Sequence, residues 1–326
     1  MSHELMQNDN MFSVRETPWH GLGVILPEAP SIDEALKISN LDWQVRGLPL
    51  YAQQPGKKGA VVRSKIAIPT HQAIQREDTE EIFTVVSSRY EILQNTEAFE
   101  VFRPLVEDGQ IELETAGSLQ NGRKVWILAK VSGVRDAEVM EGDVIKPYVL
   151  LSNSHDASQA VRFGFTPIRV VCWNTLTFAT ESEESKLVRV YHRGNLKDNL
   201  DALRESLDLA SGRFVARIDK YQKMAKMPIN KKDFQKYVRQ VLSTDIEESA
   251  REKQIFDMLL NGKGGLGTDD FSKASWWHAY NAINEWALYQ RGRSAENRLA
   301  SAWFGDGYTL DVKAFQIADD FVSKAA

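Results

Sequence analysis

The rhythm of apolar and polar residues changes near residue 194, from short runs and alternation to a helical repeat. Strands bury every second side chain and helices every third or fourth, so the change marks a switch in secondary structure. In the first part, Leu48–Tyr51, Val61–Val62, Ile66–Ile68 and Phe83–Val86 are separated by loop-forming stretches such as Gln54-Pro55-Gly56-Lys57-Lys58-Gly59, which predicts strands. Ile111, Leu113 and Thr115 alternate with Glu112 and Glu114. After Gln120-Asn121-Gly122-Arg123, the residues Val125, Ile127, Ala129 and Val131 alternate likewise. Asn-Gly tolerates positive φ, so this is the signature of a hairpin. Further strands are expected at Pro147–Ser152, Gln159–Thr166, Ile168–Cys172 and Leu187–Tyr191, with Pro167 breaking the run. Residues 1–45 read as a weakly ordered start followed by a helix capped by Ser31, with Glu34 three residues on. A second helix opens at Asn95, with Ala98, Phe99, Phe102, Leu105 and Val106 at helical spacing, and stops before Gly109.

Beyond Gly194, Leu196, Leu200, Leu203, Leu207, Ala210, Phe214, Ile218 and Tyr221 form one apolar stripe, predicting a long amphipathic helix over 195–226. Helices are expected to follow at 231–243, 246–260, 273–291, 294–303 and 311–324. In the third of these, Trp276, Tyr280, Ile283 and Trp286 make a packing face, with Asn281, Asn284 and Glu285 as polar companions. The fold class is therefore α+β: an antiparallel β-sheet-rich N-terminal and central part with packed helices, then an all-helical C-terminal part. The expected division is 1–192 and 193–326.

Composition changes this picture little. The 326 residues are 43% hydrophobic and 26% charged, which excludes low-complexity and fibrous classes. The lone cysteine, Cys172, excludes an intramolecular disulfide and fits a reducing compartment. The N-terminus shows no secretory pattern, and apolar runs fall far short of a membrane span, so a cytoplasmic protein without a membrane partner is expected.

Charge changes more. The net −5 hides a segregation: residues 161–240 carry 16 basic and 9 acidic side chains, while 1–160 carry 15 and 23. Arg213, Arg217, Lys220 and Lys223 lie on one stripe beside the long helix's apolar face. With Arg189, His192, Arg193 and Lys197 they form a candidate track for a nucleic-acid backbone. A solvated helix face is the plain alternative, and a helix-mediated homo-oligomer is a competing use of the same helix.

Other candidates concern small-molecule chemistry. Ser152-Asn153-Ser154-His155-Asp156 is a cluster of turn-forming side chains that leads to Arg162 and Arg169, two arginines suited to holding phosphate or carboxylate. Structural pairing to the acidic residues of 80–115 would use them equally well. Cys172 with His155 or His192 and Asp156 could form a nucleophile–base set, although Ile168–Trp173 reads as a buried strand with an inert thiol. Gly262-Lys263-Gly264-Gly265-Leu266-Gly267 formally matches a phosphate loop, but a helix precedes it where a strand is needed, so a connector is expected. The six histidines lack metal-ligand spacing, and neither a metal nor a cofactor is expected.

Several segments together resemble a known family. They are Pro18-Trp19-His20-Gly21-Leu22-Gly23, Ser88-Arg89-Tyr90, Glu114-Thr115-Ala116-Gly117-Ser118-Leu119, Ser152–Asp156, Pro167–Leu176, Ala279-Tyr280-Asn281-Ala282 and Ser301-Ala302-Trp303-Phe304-Gly305. In order and over nearly the whole chain they are similar to the phage/plasmid-like family also called domain of unknown function 932. The chain departs at Trp173, where the family has a small residue, and at Trp277, where it has Gly. The resemblance implies a mobile-element setting and transfers no catalytic residue.

The leading expectation is a non-enzymatic, oligomeric protein that binds single-stranded DNA in replication or recombination, in the manner of annealing proteins. The alternatives are a protein-interaction or host-modulating factor with a host protein partner, and a hydrolase or nucleotide-processing enzyme using His155, Asp156 and Arg169.

Overall fold

The computed structural model describes residues 10–15, 23–53, 65–169, 174–175, 188–190, 192, 210–262, 267–291, 301 and 306–325. In chain order the elements begin β1 (Met11–Val14), β2 (Val24–Leu26), α1 (Ile32–Ile38), β3 (Val45–Gln53), β4 (Lys65–Arg76) and β5 (Ile82–Ser87). Next come α2 (Asn95–Glu100), α3 (Arg103–Glu107), β6 (Ile111–Leu119), β7 (Lys124–Val131), β8 (Ala137–Met140) and β9 (Asp143–Ser154). The strands end with β10 (Val161–Arg169), β11 (Asn174–Thr175) and β12 (Val188–Val190). Helices α4 (Ala210–Lys226), α5 (Lys231–Leu242), α6 (Ala250–Asn261), α7 (Trp276–Tyr289) and α8 (Asp306–Ala325) complete the described chain. The α+β class expected from patterning is the class observed.

The larger sheet runs β11-β10-β9-β7-β6-β1-β2, with β12 paired to β10 and β8 to β9; the smaller is β3-β4-β5. The predicted hairpin is present as β6 and β7. Its turn places Gln120, Asn121 and Gly122 all at positive φ. Strand β1 was not anticipated, because its four residues are all buried and give no alternation to read. It pairs antiparallel with β6 and parallel with β2.

Pro167 does not break the strand. Strand β10 continues to Arg169, and Pro167 sits opposite Pro147 of β9. On its far side β9 passes there from β7, paired as far as Tyr148, to β8, which begins at Ile145. Strand β10 likewise lies between its contacts with β12 and β11. Neither proline is asked for a ladder donor, so neither interrupts the sheet.

The helix predicted from Asn95 is divided in two. Pro104 sits in the first turn of α3, and having no N–H it cannot bond back to the carbonyl four residues before it. Helix α1 starts as expected: the Ser31 hydroxyl accepts from Glu34 N, and the Glu34 carboxylate accepts from Ser31 N at 2.9 Å.

Two apolar cores result. One lies under the larger sheet, where Phe12, Leu36, Phe99, Phe102, Ile127, Leu151 and Phe163 bring α1–α3 and the smaller sheet together. The other surrounds α7 and gathers Tyr221, Phe234, Tyr237, Trp277 and Phe315 from the helices with Val139 and Ile145 from β8 and β9. The buried face of α7 extends all round, because α4, α6 and α8 each pack on it, so Asn281, Asn284 and Glu285 are buried too. Trp277 Nε1 donates to Asp143 Oδ2 at 2.7 Å, tying the helices to the start of β9. The expected junction at 192/193 and helix residues 195–209 lie outside the described residues apart from His192, as does most of 294–303.

Gly122 is the tightest point of the β6–β7 turn. It has φ +90°, and a Cβ there would stand 2.7 Å from Trp43 Cζ2 and 2.9 Å from Arg76 Nη1. Gly122→Ala is therefore expected to lower the urea unfolding free energy by more than about 1 kcal/mol. The same change at Gly133 also has positive φ but meets nothing within 4 Å, so it reports the backbone strain without the clash.

Candidate functional site

The turn from β9 into β10 carries the polar cluster anticipated in the sequence, and it sends adjacent residues to opposite sides of the sheet. His155 turns into the first core. Its Nε2 lies 2.9 Å from Asn95 Oδ1, and its ring packs against Trp43 at 5.3 Å and Phe83 at 6.1 Å. Arg76 covers the far face of that group, 4.2 Å from the Trp43 centroid, and Arg123 lies 5.2 Å from Phe83. Burial, with His192 and Arg76 nearby, pushes the His155 pKa down to about 3. The imidazole is neutral, and Nε2–H donates to the asparagine oxygen. Asn153 is also structural: its Nδ2 donates to Leu93 O at 3.3 Å, and its Oδ1 accepts from Ser154 N at 2.8 Å.

Asp156 points the other way, toward Lys124. The Lys124 ammonium nitrogen is 3.7 Å from Asp156 Oδ1 and donates to Ser158 Oγ at 2.5 Å. Ser154 Oγ donates to the same carboxylate oxygen and lies 2.9 Å from Ser158 Oγ, while Ser158 N donates to Asp156 Oδ1 at 3.1 Å. Burial alone would raise the Asp156 carboxyl, but the bonds from Ser154 and Ser158 hold it below its ordinary value. Lys124 faces Ser154 across the β7–β9 ladder.

Beside this cluster is a cavity of about 370 Å³, walled by Val86, Tyr90, Ser158, Gln159, Ala160 and His192, among others. His192 is buried rather than offered to solvent. It stacks on Tyr90 at 4.5 Å, its Nδ1 donates to Glu91 O at 2.9 Å, and its own carbonyl accepts from Glu91 N. Desolvation lowers its pKa, so it adds no charge to a basic track. The Tyr90 hydroxyl donates to Ser154 O at 3.3 Å, and burial raises the phenol's pKa.

The arginines divide. Register places Arg162 opposite both Ser152 of β9 and Arg189 of β12, so two of the candidate anion-binding positions are direct neighbours. Arg169 is farther along β10, opposite Ile145. It is not beside His155 or Asp156, as the hydrolase alternative would need. On α4, Lys220 pairs with Asp319 of α8 at 2.8 Å, and Arg217 lies 4.0 Å over Phe315. These two side chains fasten α4 to α8. Lys223 is exposed, as are Lys226, Lys231, Lys232 and Lys236 on α4 and α5. Arg193, Lys197 and Cys172 lie outside the described residues, and of Arg213 only the helical backbone is described.

Lys124 and Ser158 were not singled out from the sequence. A lysine at the start of a hairpin strand reads as solvated, and only the β7–β9 register reveals what faces it. Residues 263–266 of the glycine-rich segment lie outside the described residues; just after it, Thr268 N and Asp269 N donate to Leu259 O and Leu260 O at the close of α6. Among the described residues no group of three His, Cys, Asp or Glu side chains could hold a metal ion. No helix among them is long and apolar enough to cross a membrane.

A family model described as "Domain of unknown function (DUF932)" matches residues 82–303. No curated protein and no solved structure matches the chain.

Because the folded protein holds His155 neutral and the unfolded chain does not, protonation opposes folding. This stability is complete above pH 6.5 and is lost as pH falls from 6.5 toward about 3, at about 1.4 kcal/mol per pH unit. Urea unfolding at pH 6.5 and pH 5 should differ by about 2 kcal/mol from this group. His155→Gln, which keeps a donor for Asn95 and cannot titrate, should show a correspondingly smaller difference. An equal pH response in both proteins would refute the assignment.

Proposed function

The chain belongs to the DUF932 family, and from that premise and its cationic strand edge we propose that it binds single-stranded DNA through the phosphate backbone. One observation carries the reading. The β10–β12 register sets Arg162 directly across from Arg189. Opposed positions of an antiparallel pair lie close enough for two cationic residues to share one phosphate as two charge-assisted contacts.

The wider charge distribution supports it. Lys223, Lys226, Lys231, Lys232 and Lys236 continue the basic character on the exposed surface of α4 and α5. Backbone binding needs a cationic path and little base recognition, which suits an acidic protein whose cations are segregated. Lys220 and Arg217 are not part of that path, since they are spent on α8.

Fluorescence anisotropy with a labelled single-stranded oligonucleotide at two salt concentrations tests the proposal. Binding should weaken as salt rises, and each phosphate contact removed should reduce the slope of log K against log salt by about 0.7. Arg189→Glu and the pair Lys223→Glu with Lys226→Glu should each weaken binding. Lys220→Ala should leave it unchanged. Absence of binding at low salt, or binding indifferent to salt, would refute it.

A further inference from the structure

The β9–β10 turn contains more than backbone binding requires. Ser158 is exposed and lines the cavity of about 370 Å³, while Lys124 stands behind it with a side chain only 9% exposed. Their 2.5 Å contact sets a buried amine against a reachable hydroxyl. That is the arrangement by which a base activates a serine nucleophile.

The neighbours fit the same use. Asp156 Oδ1 is occupied by the Ser154 hydroxyl and the Ser158 N–H, which fix the turn so that Ser158 stays over Lys124. Burial lowers the Lys124 pKa, Asp156 opposes that shift, and Arg162 and Arg123 add to it. Lys124 pairs with Ser154 and Arg162 with Ser152, alternate residues of β9, so the lysine and the arginine share one face of the sheet. Arg189 is opposite Arg162. With Lys124 and Arg162 against Asp156, the cluster favours an electrophile that carries negative charge. The cavity falls within the volume range of small-ligand sites, about 300–1,000 Å³.

We propose that Ser158 is a nucleophile toward the backbone phosphodiester of DNA, with Lys124 as its general base and Arg162 on the charged phosphoryl oxygens. The substrate class rests on the DNA-binding reading above. In the step, the Lys124 ammonium first releases a proton to solvent; Ser158 Oγ then bonds to phosphorus and its proton passes to the amine so formed. The P–O bond to a deoxyribose oxygen on the far side breaks, and that oxygen takes a proton from solvent. One phosphoester replaces another, leaving a phosphoserine-linked DNA end and a free hydroxyl, with no redox partner and no water consumed.

The full chain is incubated with end-labelled single-stranded oligonucleotide and resolved under denaturing conditions; a parallel sample is treated with diisopropyl fluorophosphate. In both, the adduct is mapped by peptide mass. Label should remain on the protein at Ser158, vanish in Ser158→Ala and form about 100-fold more slowly in Lys124→Met. Ser158→Ala retains the backbone N–H that Asp156 accepts, so its fold is preserved and anisotropy should still register the oligonucleotide. Its circular dichroism and melting should match those of the unaltered chain. Oligonucleotide binding with no Ser158 adduct from either reagent overturns the inference and leaves the DNA-binding reading standing. An adduct that survives Ser158→Ala also overturns it. Phosphorylation of Ser158 by the fluorophosphate without any oligonucleotide binding overturns DNA as substrate and the binding reading together.

Discussion

One buried neutral imidazole joins the two sheets. His155 follows directly on β9 of the larger sheet, yet its ring is enclosed by Trp43 and Phe83, which flank and belong to the smaller sheet, and by Asn95 at the start of α2. Its backbone N–H meanwhile donates to Arg123 O at 2.8 Å across the β6–β7 turn. With His155 fixed inward, the next residue must leave on the opposite side. That is why Asp156 meets Lys124 and why Ser158 comes to rest at the cavity. The desolvated ring is thus the constraint from which the polar cluster takes its direction. Arg76 on Trp43 and Arg123 near Phe83 pack on the two aromatic side chains that enclose the ring.

Local signals in the sequence carried a good part of the fold. Ser31 and Glu34 formed their capping box, Asn121-Gly122 made its turn, and the helical repeats around Phe234, Ile255 and Trp276 produced α5, α6 and α7. What failed depended on partners distant in sequence. A proline is a strand breaker only where a donor is demanded, and whether Pro167 meets that demand is settled by Pro147, β8 and β7. Strand β1 lacks alternation because both its faces are covered. The site followed the same division. The polar turn was legible from Asn153 through Asp156, but not that His155 and Asp156 serve different sides, nor that Lys124, some thirty residues earlier, completes the cluster.

The charge pattern also acquires a structure. A basic stripe along α4 reads as one surface in sequence, whereas the fold divides it by partner. Arg217 and Lys220 turn toward α8, where Phe315 and Asp319 receive them, and Lys223 remains outside. The acidic C-terminal block is thus in part the internal counterion of the basic centre, and the surface potential is weaker near α8 than counting alone suggests. An exposed pair such as Lys220–Asp319 contributes little stability, about 0–1 kcal/mol, so its main effect is on where unneutralised positive charge remains.

The facing prolines have a meaning for the protein in company as well as in isolation. Among the described residues, no strand lies beside β10 between its contacts with β12 and β11. A strand border can recruit the border of another molecule, each supplying the hydrogen bonds that the other lacks. Pro167 deletes a donor from that border, so an incoming strand would find its ladder interrupted there. The same residue that the sheet tolerates without loss thereby makes this margin a poor template for sheet-to-sheet growth.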